Sequence, residues 1–153
     1  MKNKAETVIL PALAAGIFAA DQYAKQKSRE MRPGEIHRSG NGIVLFRQSR
    51  NSGAMMNLGE KNPELVRNIS ILASSGTLLA FSSALGHSGG TVRKTGLAIL
   101  LGGALSNTYD RLRRKYVTDY ISFDIGVPEL QNTVFNAADF AIIAGSVITA
   151  LGK

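Results

Sequence analysis

Four stretches without a charged residue set the limits on what this chain can fold into. Between Glu6 and Asp21 lie 14 uncharged residues, between Arg67 and His87 lie 19, between Lys94 and Asp110 lie 15, and between Asp139 and Lys153 lie 13. As α-helices they span roughly 20–28 Å at about 1.5 Å per residue. A bilayer core about 30 Å thick asks for roughly 17–25 residues. The second stretch is long enough by itself. The others either run their helices on past the flanking polar residues or form the core helices of a soluble bundle, and length alone leaves both open. At 153 residues the chain reads as one domain.

The first stretch has two readings. Lys2 and Lys4, then V-I-L-P-A-L-A-A-G-I-F-A-A, resemble a cleaved signal peptide, with Ala14 and Gly16 as a small-x-small cleavage site and a mature chain starting near residue 17. The polar ending at Asp21-Gln22, followed by Lys25 and Lys27, favours an uncleaved first span. Lys25, Lys27, Arg29 and Arg32 read as a basic segment, solvated or at a headgroup surface. Beyond it, Ile43 to Phe46 read as a strand, Asn51-Ser52-Gly53 as a turn, and Ala54–Leu58 as a second short strand or helix start. Asn51 tolerates left-handed geometry, and its amide both donates and accepts. The 69–86 and 95–109 stretches read as helices rich in small residues, with Gly102-Gly103 suggesting close helix packing.

The residue types exclude several chemistries. There is no cysteine, which rules out disulfides and thiolates, and the two histidines, His37 and His87, lie too far apart to suggest a metal site. A net charge of +7 fits nucleic acid, anionic lipid or no charged partner at all. The candidate chemistry sits instead between Asn107 and Asp139, where three acids (Asp110, Asp119, Asp139) and two asparagines (Asn107, Asn136) fall within 33 residues beside apolar runs. Acids there are costly to desolvate unless paired or used. Asn107, Asp110 and Arg111 share a helix face at i, i+3 and i+4, and Asp110-Arg111 by itself reads as an ion pair at a helix end. In V-T-D-Y-I-S-F, alternation points Asp119 with the apolar side of an extended segment. Asn136 stands at an N-cap position with Asp139 third in the helix, a site the helix dipole favours for an acid.

If all four runs cross a membrane, Asp21, Asn51, Asn107, Asp110, Asp119, Asn136 and Asp139 fall on one face. The other face receives the termini and the 87–94 loop. Lys and Arg number 13 on the motif side and five on the other, so the positive-inside rule would turn the motifs to the cytoplasm.

The motifs resemble those of the lipoprotein signal peptidase (signal peptidase II) family. D-Q-x-x-K at 21–25 resembles its first motif, and N-S-G-A at 51–54 its N-x-G-A-A-F. G-G-A-L-S-N-T-Y-D-R at 102–111 resembles G-G-A-L-G-N-x-x-D-R, V-T-D-Y-I-S-F resembles V-V-D-F-I-x-F, and F-N-A-A-D matches F-N-x-A-D. They stand in family order over about residues 21–145, with Ser106 in place of a glycine and Met55-Met56 in place of Ala-Phe. The resemblance implies a mainly α, four-span transmembrane helix bundle with spans about 6–24, 68–86, 94–110 and 137–152. It also implies a small extracytoplasmic β platform between spans 1 and 2. It implies an aspartic endopeptidase in the bacterial plasma membrane, its site facing outside, that cuts diacylglyceryl-modified prolipoproteins before the lipidated cysteine. Asp119 and Asp139 would be the catalytic pair. Asn51, Gly53, Asn107, Asp110, Arg111 and Asn136 would bind substrate or support the pair, and Asp21 would be structural. Neither cofactor nor metal is expected. The partners expected are lipidated prolipoproteins and membrane lipids but not nucleic acid, and the chain is expected to be a monomer. The runner-up is a catalytically silent relative that binds lipoproteins or anionic lipid through its basic loop.

Overall fold

A computed structural model describes residues 4–54 and 58–152, with only the backbone of Glu129. Three helices of 24 residues form its frame: α1 (Glu6–Arg29), α2 (Pro63–Gly86) and α3 (Thr91–Arg114). Each outruns its charge-free stretch, so the helices do continue past the flanking polar residues. Strands β1 (Ile36–Arg38) and β2 (Val44–Asn51) lie between α1 and α2. Strand β3 (Val117–Phe123), the short α4 (Pro128–Asn132) and the apolar α5 (Ala137–Leu151) follow α3. By length and composition, α1 and α2 are apolar enough to cross a membrane, and α5 is a shorter apolar helix.

Side chains are sorted in the reverse of a water-soluble bundle. Leu72 and Leu79 on α2 stand 75% and 71% exposed, and Val8, Ile9 and Val147 also face outward. The largest fully buried side chains are mostly polar: Lys25, Asn136, Thr118, Asp21, Asp110, Ser106 and Ser122, with Val117 the apolar member. Such an inversion is costly in water and suits a lipid surround. A modest apolar core of Leu10, Ala14, Phe81, Leu97, Ala98 and Leu101 joins α1, α2 and α3. A leader cut near residue 17 would remove Leu10 and Ala14 from it.

Helix α3 is the central element, and Gly102-Gly103 explains how two helices reach it. A Cβ on Gly102 would lie 2.6 Å from the Ala14 carbonyl oxygen of α1. A Cβ on Gly103 would lie 2.6 Å from the Ala138 carbonyl oxygen of α5. The close packing expected of these glycines is present, and it sets the first turn of α5 beside the last turns of α3. Helix α2 is tied on differently. Ser74 and Thr108 share a 2.7 Å hydroxyl hydrogen bond, and Thr108 also reaches the Ser70 carbonyl.

The sheet corrects one expectation. Its antiparallel order is β1-β2-β3, with Ser49 opposite Asp119 and Asn51 opposite Val117. The platform is therefore not confined to the segment between the first two helices, because its third strand arrives from beyond α3. The expected strand at Ile43–Phe46 runs on to Asn51, and β1 was not foreseen. Ala54 and Leu58 lie in a bend and a turn, not a second strand. Met55 and Met56 fall outside the described residues. β3 is buried on both sides, Thr118 and Tyr120 as well as Val117 and Asp119, so its alternation does not separate a wet face from a dry one.

Candidate active site

The two acids singled out at 119 and 139 come from different elements and meet through one asparagine. Asn136 caps α5: its Oδ1 accepts from the Asp139 N–H at 2.9 Å, and its own N–H donates to Asp139 Oδ2 at 3.0 Å. This reciprocal capping box is the local structure expected of Asn136 and Asp139. The remaining Asn136 group, Nδ2, donates to Asp119 Oδ1 at 2.6 Å. One residue thus touches both carboxylates.

Every carboxylate oxygen of the pair has a neutral donor. Asp119 Oδ2 accepts from Asn51 Nδ2 at 3.0 Å, and Asp139 Oδ1 accepts from Asn107 Nδ2 at 2.9 Å. The three amide orientations are dictated by what lies behind them. Asn51 Oδ1 must face the Gly53 N–H (2.9 Å), Asn136 Oδ1 the Asp139 N–H, and Asn107 Oδ1 the Lys25 ammonium (2.7 Å). A cation and two N–H groups offer only protons, so each NH2 is left pointing at an acid.

Among the described residues the pair therefore has no direct cation of the kind that usually holds a carboxylate ionised. Asp119 is 2% exposed. Burial, and then repulsion from Asp139, push its carboxyl up to about 6, against the opposing pull of the Asn51 and Asn136 hydrogen bonds.

Behind the pair lies a second buried cluster that sequence reading did not foresee. Lys25, expected in solvent or at a headgroup surface, is 0% exposed. Its Nζ lies 2.8 Å from Asp21 Oδ2 and 3.4 Å from Asp110 Oδ2. Ser106 Oγ donates to Asp21 at 2.5 Å and accepts from Gln22 at 2.9 Å, so the serine at a family glycine position is absorbed into the network. Tyr120 OH donates to Asp21 Oδ1 and accepts from the Ala137 N–H. Burial and the Asp21 charge push the Tyr120 phenol above its ordinary value. The signal that could have found Lys25 is its i, i+4 spacing from Asp21.

The expected Asp110–Arg111 ion pair does not form. Asp110 pairs with Arg114 at 2.8 Å and accepts from the Thr118 N–H. Arg111 turns away and donates to the Gly53 carbonyl at 2.7 Å. Asn51, Gly53, Asn107, Arg111 and Asn136 thus lie against the pair or its first supports, whereas Asp21 and Asp110 belong to the Lys25 cluster. Among the described residues no group of His, Cys, Asp or Glu is placed to hold a metal. A cavity of about 220 Å³ reaches Asp139, Asn107 and Arg111 and is otherwise lined by Ala73, Leu100, Ala104 and Ile142, among others.

The model of the signal peptidase (SPase) II family matches residues 13–152. The chain belongs to the signal peptidase II family. It is 31% identical over 147 residues to the lipoprotein signal peptidase of Lactobacillus gasseri, covering 95% of this chain and 92% of that one. It is 30% identical to that of Geobacillus thermodenitrificans (92% and 86%), and 32% identical to that of Gloeobacter violaceus (80% and 68%). Two solved structures described as bacterial membrane enzymes share the fold. Their TM-scores are 0.78 and 0.74, at 19% and 20% identity, each covering 94% of this chain and 85% and 90% of theirs. Family membership and the apolar helices make this a bacterial membrane protein. The silent-relative reading finds no support among these signal peptidase II relatives.

Proposed function

We infer that this protein is an aspartic endopeptidase that removes signal peptides from diacylglyceryl-modified prolipoproteins, cutting before the lipidated cysteine. The observation that carries the reading is Asn136, whose main-chain and side-chain N–H groups hold Asp139 and Asp119 at 3.0 and 2.6 Å. Asp119 and Asp139 are the catalytic pair. One carboxylate takes a proton from water, which attacks the scissile carbonyl carbon, while the other carboxyl gives its proton to the carbonyl oxygen. In the resulting gem-diol the C–N bond breaks as the nitrogen takes a proton from one acid and a hydroxyl returns its proton to the other carboxylate, so the new carboxylic acid and amine leave and the pair is restored. Asn51, Asn107 and Asn136 hold the acids in place without neutralising them. Arg111 and Gly53 shape the approach, and the Asp21–Lys25–Asp110 cluster stiffens the base.

The chain acts as a single domain over residues 1–153, with four membrane spans at about 6–24, 68–86, 94–110 and 137–152. Supporting this, Asp21, Lys25, Asn107, Asp110 and Arg111 lie toward the C-terminal ends of α1 and α3. Asn136 and Asp139 lie at the N-terminal end of α5. Four crossings bring those ends to one membrane face. The sheet forms a platform on that face, outside the cell, where the signal helix and acyl chains stay in lipid and the peptide reaches the acids. Both acids come from one chain, so a monomer suffices. Membrane lipids surround the outward apolar faces.

The test is incubation of the detergent-solubilised protein with a diacylglyceryl-modified precursor and with its unmodified form. Mass analysis should find one product beginning at the lipidated cysteine and none from the unmodified form. A cut elsewhere, or equal cutting of both forms, would contradict the assignment.

A further inference from the structure

Arg111 forms part of the wall of two cavities. The one that reaches Asp139 mixes alanine, leucine and isoleucine with serine, threonine and asparagine side chains. The other, about 470 Å³, is lined by Ser52, Glu64, Arg67, Lys115 and Tyr116 as well as Arg111. Three cations there face one acid. Glu64 is 79% exposed at the side chain and lies 3.7 Å from Arg67, too loose and too wet to neutralise the group. Arg50 adds a further guanidinium, stacked 5.1 Å from the centre of the Tyr116 ring.

Two of the cations are fixed by backbone contacts: Lys115 is the left-handed C-cap of α3, its N–H donating to the Arg111 carbonyl. Lys115 has φ 71, and it is the sole non-glycine residue in left-handed backbone among the described residues. That conformation suits glycine, and a lysine held there is strained. Buried Arg111 donates to the Gly53 and Asn107 carbonyls, while its Nε has no hydrogen-bond partner among the described residues.

We propose that this second cavity binds an acidic side chain of the substrate within the first residues after the cut bond. The proposal rests on the peptidase reading. A prolipoprotein is apolar before the scissile bond and polar after it. Of the two cavities that meet at Arg111, the first offers alanine, leucine and isoleucine side chains among hydroxyls and amides, and the second offers three cations. Ser52 belongs to the same turn as Asn51, which holds Asp119. A peptide laid across the pair with its apolar part in the first cavity leads its polar part to Arg67, Arg111 and Lys115. A carboxylate there gains charge-assisted hydrogen bonds that a neutral or basic side chain does not.

The experiment uses the full chain in detergent and lipidated precursor peptides that differ only at the second residue after the cut: Asp, Asn or Lys. The wild type should show kcat/KM about fivefold higher for Asp than for Asn, lower still for Lys, with the spread shrinking at high salt. The Arg67→Gln, Lys115→Gly double variant should cut the Asn peptide at the wild-type rate and lose the preference. Lys115→Gly also relieves the backbone strain, so its thermal stability should equal or exceed the wild type's. An unchanged Asp-to-Lys ratio in the double variant would overturn the proposal, as would equal cutting of all three peptides, which leaves the peptidase reading standing. Failure to cut any peptide would overturn both. If the rate followed the anionic-lipid content of added vesicles and not peptide charge, and that response vanished in the double variant, the cavity would be a headgroup site instead.

Discussion

Two pairs of buried aspartates sit side by side in this molecule, and they are treated in opposite ways. Asp21 and Asp110 share the Lys25 ammonium at 2.8 and 3.4 Å, and Asp110 adds Arg114 at 2.8 Å. Among the described residues, Asp119 and Asp139 receive only neutral donors: three asparagine amides and one main-chain N–H. A cation meets a carboxylate with an opposite charge, whereas an amide fixes its position and adds no charge. The same side chain is thereby structural in one cluster and, in the proposed mechanism, reactive in the other. Lys25 serves both, since its third neighbour is Asn107 Oδ1, and Asn107 passes that orientation to Asp139.

The sharpest contrast is in turnover. Asp119→Asn should lower kcat by about 10³-fold or more, measured on a lipidated precursor at equal folded protein. On the structural side, Lys25→Met leaves two buried acids without their shared cation. It should cost about 3–5 kcal/mol of stability, read as a large fall in unfolding temperature in detergent. Asn107→Ala tests the link between the clusters. It frees one Asp139 oxygen and removes one Lys25 partner, and it should slow cleavage by about 30-fold with a milder loss of stability. Equal damage from Asn107→Ala and Thr91→Ala, which removes a hydrogen bond to Glu6 at the opposite end of α3, would mean the link carries no catalytic weight.

The smallest effect is a pH slope. A buried acid raised from the ordinary 3.8 to about 6 binds its proton more tightly when folded than when unfolded. The stability it lends is therefore complete below pH 3.8 and is lost as pH rises through 6. Between pH 5 and 7 the wild type should lose about 1 kcal/mol more than Asp119→Asn does, in parallel thermal melts. Cleavage should fall as pH rises above about 6, where the pair gives up the proton it needs.

Much of this was readable from residue order. The charge-free stretches located the long helices, Gly102-Gly103 their close contacts, and Asn136 with Asp139 the start of α5. These are local signals, settled within a turn or two of chain. What escaped depended on contacts made from a distance. Lys25 sits in a run of basic residues, and composition places such a run in solvent. Its burial follows from the face α1 turns toward α3, where Asp21, Ser106 and Asp110 await it. Adjacent in sequence, Asp110 and Arg111 point different ways on a helix, so Asp110 finds Arg114 one turn on. The extended segment at Val117–Phe123 was legible, but its place in the sheet was not, because β3 pairs with β2 across α2 and α3.

The most direct measurement replaces Asp139 and Asp21 by asparagine in separate proteins and scores cleavage of a lipidated precursor per folded molecule. The account predicts that Asp139→Asn binds the precursor but does not cut it, while the folded fraction of Asp21→Asn, though less stable, still cuts. Cleavage by Asp139→Asn at the wild-type rate, or selective loss in Asp21→Asn, would contradict it.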